Sequence, residues 1–145
     1  MAFAYFSKDS EGHVHRVAED EDSKSIINCK EEDYIVISIS DDLFQNVIKS
    51  KKWIRYENNA VVEENIDFPD GYENSDILKK DLTIKYKSIV PWTWNNQNHP
   101  KYNDIKNYCN LIKDFDTTTL TFPMMQTWEE YCESNSITFF HPLQT

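Results

Sequence analysis

The opening of the chain is apolar, with Phe3 and Tyr5 alternating with Ala2, Ala4 and Phe6, and extended alternation resumes after a polar turn through Val14 and Arg16. Ala2 to Phe6 and His13 to Ala18 read as two short strands, with Lys8-Asp9-Ser10-Glu11-Gly12 between them as turn chemistry. Gly12 suits the positive φ of a bulged hairpin loop. The acidic run Glu19 to Asp22 then opens a helical turn ending near Ile26 and Ile27. Tyr34-Ile-Val-Ile-Ser-Ile39 is dominated by β-branched residues and predicts a strand. Ser40 follows as the N-cap of a helix whose apolar stripe is Leu43, Phe44, Val47 and Ile48, ending among Lys49, Lys51 and Lys52. Trp53 to Tyr56 and Ala60 to Glu64 flank Glu57-Asn58-Asn59 and predict a second hairpin, because asparagine enters the left-handed region readily.

The period changes after the turn Phe68-Pro69-Asp70-Gly71-Tyr72. Ile77, Leu78, Asp81, Leu82 and Lys85 have helical spacing, continuing to Ile89, and Pro91 is expected to stop the helix at or before the residue preceding it. Trp92 to Pro100 has no regular period and is expected to be an ordered loop pinned by Trp92 and Trp94. A helix is predicted over 103–114, with Ile105, Tyr108, Cys109 and Ile112 along one side. Thr117 to Phe122 is a β-rich connection, Thr127 caps a helix over 127–134, and Ile137 to Phe140 reads as a final strand.

These elements predict an α+β fold: a small, mainly antiparallel sheet with N-terminal hairpins, packed against several short helices from the second half. The length of 145 residues matches one domain, strand-rich to about residue 72 and helix-rich beyond, with a boundary near 65–75.

Charge narrows the range of partners. Fifteen Lys and Arg stand against 25 Asp and Glu, a formal net charge of -10, so a broad phosphate-binding surface is disfavoured and no direct nucleic-acid binding is expected. No apolar run is long enough to predict a membrane span, and the opening lacks the basic and apolar regions of a signal peptide, so no membrane association is expected. Three cysteines, Cys29, Cys109 and Cys132, are too few and too scattered for a disulfide framework, which fits synthesis in a reducing compartment. Aromatic residues make up 14% of the chain against only 2 glycines, a balance suited to filling a small core or an interface.

No metalloprotease, phosphate-loop, dinucleotide or Cys-x-x-Cys motif occurs, so the sequence assigns no catalytic residue and no cofactor. His13 and His15 fall on one face of a strand, but two ligands do not complete a zinc site; Glu11, Cys29 or His141 would have to join them. Cys109, Cys132 and His141 have the residue types of a thiol nucleophile and its base, although the helical pattern places the cysteines among apolar residues. The carboxylates Asp41, Asp42, Glu63, Glu64, Asp114, Asp116, Glu129 and Glu130 read as solvated faces and helix caps rather than a converging pair. Trp92 and Trp94 are the candidate protein interface; paired indoles in an irregular segment serve first as internal anchors, next as contact residues for a partner protein, and also as stacking surfaces for a ligand such as a sugar.

The opening MAFAYFSKDSEGHVHRVAED and the ending from Gln126 to Gln144 together resemble small accessory structural proteins of tailed bacteriophages. That resemblance implies a virion component at neck, tail or fibre, made in the host cytoplasm and working in an oligomeric assembly through contacts with other virion proteins. It transfers no catalytic residue. An acidic cytoplasmic binding protein or inhibitor is the rival reading, distinguished by acids aligned on one face, and a small hydrolase is the third.

Overall fold

A computed structural model describes residues 2–8, 12–19 and 34–144. The chain is α+β, and its residues divide into two compact units, 1–66 with 143–145, and 67–142. The helical turn expected over 19–27, together with Cys29 and Glu11, falls at or outside the edges of the described residues.

In the first unit β1 (Ala2–Ser7) is the middle strand of an antiparallel sheet, between β2 (Val14–Ala18) and β3 (Tyr34–Ile39). Its central position explains the sequence, because Ala4, Tyr5 and Phe6 are all buried and neither face is left for polar residues. Pairing with β3 is regular from Ala2 opposite Ile39 to Ser7 opposite Tyr34, whereas the β2 register shifts between Tyr5 and Phe6. Gly12, at φ +76°, has its carbonyl accepting from the Tyr56 amide, so close to that strand that a Cβ would strike the Tyr56 carbonyl oxygen.

Helix α1 (Asp41–Ile48) starts where Ser40 Oγ accepts the Leu43 amide at 3.1 Å, and buries Phe44, Val47 and Ile48. The hairpin of β4 (Lys52–Glu57) and β5 (Ala60–Asn65) closes with Glu57 opposite Ala60. Asn58 and Asn59 have φ of 53° and 61°, the left-handed pair that matches the twist of a two-residue hairpin.

The second unit is built on α2 (Ser75–Asn95), α3 (Tyr102–Asp114) and α4 (Trp128–Ser134). Its core joins Tyr72, Leu78, Leu82, Ile89, Ile105, Tyr108, Ile112, Met124, Trp128 and both described cysteines. Trp128 is fully buried, stacked on Tyr131 at 5.5 Å and met edge-on by Phe115 at 4.9 Å. Thr127 caps α4 with a complete capping box: its hydroxyl accepts the Glu130 amide at 3.2 Å, and its amide donates to Glu130 Oε1 at 3.0 Å.

Three expectations are corrected here. Helix α2 does not stop at Pro91 but runs to Asn95, so Trp92 and Trp94 stand on a helix and not in a loop. A proline costs one backbone bond, but Leu78, Leu82, Lys85, Ile89 and Thr93 form one buried stripe that carries the helix past it, and Thr93 Oγ1 donates to the Val90 carbonyl at 2.6 Å. Thr117–Thr119 is a 3-10 turn capped by Asp116 rather than a β connection. Ile137 to Phe140 adopts no strand: none of the described strands lies within the second unit, so strand-forming residues have no partner there to pair with.

Candidate functional site

The α2 stripe contains one residue that does not belong in an apolar core. Lys85, one turn beyond Asp81, is buried with its Nζ 3.1 Å from Asp81 Oδ2 and 3.3 Å from Glu129 Oε2. Glu129 enters from the first turn of α4 and is 0% exposed. Tyr72 donates its hydroxyl proton to Asp81 Oδ2 at 2.6 Å and accepts the Trp128 amide at 3.3 Å. The Trp128 indole in turn donates to Tyr108 Oη at 2.8 Å. One cation and two carboxylates thus tie α2 to α4 and to the segment before α2.

Burial and the charges of this cluster shift the titration of Lys85 and of the groups packed around it. Burial alone would lower the Lys85 pKa, but Glu129 and Asp81 outweigh it and keep the ammonium charged. Burial, reinforced by the neighbouring carboxylates, pushes the Tyr72 and Tyr108 phenols far above their ordinary value. The Cys132 thiol rises to about 12 by burial and the charge of Glu129, and Cys109 to about 11 by burial. His141 falls to about 3, through burial first and the positive charge of Lys85 second, so its ring is neutral at neutral pH. Neither described cysteine is an activated thiol, because both environments favour the protonated form. The arrangement binds elements together.

The tryptophans part company. Trp92 packs partly buried against the core, edge-on to His99 at 5.2 Å, and its buried indole Nε1 has no hydrogen-bond partner among the described residues. Asn96 Nδ2 donates to the Trp92 carbonyl at 2.7 Å and closes the helix end. Trp94 is 65% exposed and borders an open depression of about 410 Å³ formed with Asn95 to His99. Ile84, at 64%, and Ile77, at 38%, are exposed on the same helix, where Lys80 and Lys87 are also exposed. Helical geometry sets Ile77 and Ile84 nearly in line, with Trp94 further round the outward side.

The remaining candidates lie apart. His13 bridges to Arg55, and His15 stacks on Tyr34 at 4.8 Å. Among the described residues no group of three His, Cys, Asp or Glu gathers as for a metal ion. Asp41 and Asp42 occupy the first turn of α1, Glu63 pairs with Lys52 at 2.9 Å, Glu64 with Arg55 at 3.0 Å, and Asp116 caps the 3-10 turn. The Lys85 cluster was missed by motif reading; its signal was a charged pair at i, i+4 inside an apolar stripe.

Among the described residues no helix is long and apolar enough to cross a membrane. No family model, curated protein or solved structure matches the chain.

Proposed function

We propose that the protein is a non-catalytic adaptor that binds another protein through the outward side of α2, with Trp94 as the anchor and Ile84 as a second apolar contact nearly three turns nearer the start of the helix. The observation that carries this reading is the 65% exposure of Trp94 in the last turn of α2, a helix whose other side is packed on the core. A rigid aromatic buries a large area on binding at small entropic cost, and tryptophan is enriched among residues that dominate interface energies. The buried Lys85 cluster supports the same reading, since its groups are engaged with one another and serve to hold α2 in place.

The setting proposed is a bacteriophage virion, at neck, tail or fibre, following the resemblance carried by the two ends of the chain. Repetition in a symmetric particle multiplies a modest contact into a stable one. Purified particles containing the chain in fixed stoichiometry by quantitative mass spectrometry support this setting. Its absence from particles, with the chain present only in the soluble host fraction, rejects it in favour of a free binding protein.

A further inference from the structure

A second contact site is inferred at the end of α4, where the chain leaves the helix through a Schellman turn. The Ser136 amide donates to the Glu133 carbonyl at 3.3 Å and the Ile137 amide to the Cys132 carbonyl at 2.8 Å, with Ser136 at φ +56°. Beyond that turn Ile137, Phe139 and Phe140 pack on the core while Thr138 is exposed, and Phe140 meets Tyr108 edge-on at 6.1 Å. The side chains therefore fix the segment in place. Its backbone is a different matter: among the described residues no hydrogen bond reaches Thr138, Phe139 or Phe140 main-chain groups.

A segment with strand-forming residues, anchored by its side chains and unpaired along its main chain, is a template for an added strand. Beside it lies an open groove of about 370 Å³, lined by Tyr108, Leu111 and Ile137 together with Asp104, Asn107 and Thr138. Asp104 is the one charged residue lining the groove, and it is exposed. The net charge of -10 adds a field that attracts cations and opposes a second copy of the chain.

The geometry points to an extended segment of a partner protein, carrying lysine or arginine, that pairs its backbone with Thr138–Phe140 and directs a basic side chain toward Asp104. Main-chain bonds would supply affinity, and the groove would select the alternating side chains. This site stands independently of the contact at Trp94, since it can be tested on the chain alone.

The test titrates the full chain, labelled with nitrogen-15, with a capped hexapeptide of alternating lysine and valine. Two control peptides accompany it: one N-methylated at alternate backbone nitrogens, and one with glutamate for lysine. The proposal expects saturable shifts centred on the amides of Thr138, Phe139, Phe140 and Asn107. N-methylation, which keeps the charge and removes donors, should weaken binding by about tenfold or more, and the glutamate peptide should not bind. Asp104→Asn should weaken the lysine peptide several-fold while leaving the spectrum of the free chain otherwise unchanged. Equal binding of the N-methylated peptide, shifts centred elsewhere, indifference to Asp104→Asn, or no saturable binding at millimolar peptide would each overturn it.

Discussion

Lys85 is the residue on which the second unit turns. It sits in the inner stripe of α2 between Leu82 and Ile89, and its charge is held by Asp81 and Glu129. A buried ion pair contributes little net stability relative to a well-packed apolar replacement, but removing one partner strands the other. Lys85→Met should therefore destabilise the protein by about 3–5 kcal/mol in urea unfolding, because Glu129 would stay buried without its cation. Adding Glu129→Gln to that variant should recover part of the loss. His141 gives the cluster a pH dependence. Its pKa is lowered from 6.5 to about 3, so between these values the unfolded chain binds a proton that the folded one resists. Its contribution to stability is therefore complete above pH 6.5 and is lost as pH falls toward 3. The groups acting on the ring are Lys85, which disfavours its protonation, and Asp81, which favours it. Unfolding midpoints measured from pH 7 to 4 should fall, and His141→Gln should flatten that decline.

At the scale of elements, local chemistry was legible wherever it was self-contained. Ser40 and Thr127 cap the helices their side chains announce, and Asn58-Asn59 makes the hairpin turn that asparagine permits. What the sequence concealed depended on distant partners. Pro91 is a strong local stop, yet burial of Ile89 and Thr93 on one stripe overrides it, and the indoles change from loop to helix residues as a result. Ile137 to Phe140 has strand-forming residues, but pattern cannot say whether an edge is present to receive them. The candidate site was legible only in part for the same reason: Trp92 and Trp94 are separated by one residue, and helical rotation sends one to the core and the other to solvent. Asp81, Lys85 and Glu129 gave no motif, since their meeting requires α4 to pack on α2. Helix α4 itself spans 7 residues, too few to persist without tertiary burial. Trp128→Ala should accordingly cost about 3–5 kcal/mol by equilibrium denaturation, since it empties a site fully enclosed by Phe115, Tyr131 and Tyr108.

On the scale of the whole molecule, the chain combines two compact units, strong negative charge and an outward helix side with isolated apolar residues. A net charge of -10 disfavours self-association electrostatically, while Lys80 and Lys87 give the outward side of α2 a local positive character around Ile84. This contrast favours a partner surface that is apolar at its centre and acidic at its margin. The proposed role requires that Trp94 be dispensable for folding, whereas Trp92, packed on the core, is not. The most direct measurement is co-assembly of the double variant Trp94→Ser/Ile84→Ser, quantified as its occupancy in purified particles against the unaltered chain, with urea unfolding of each chain alongside. The account predicts an unchanged unfolding midpoint and occupancy reduced by about tenfold or more, as expected when hot-spot residues are removed from an interface. Full occupancy of a folded double variant would contradict it.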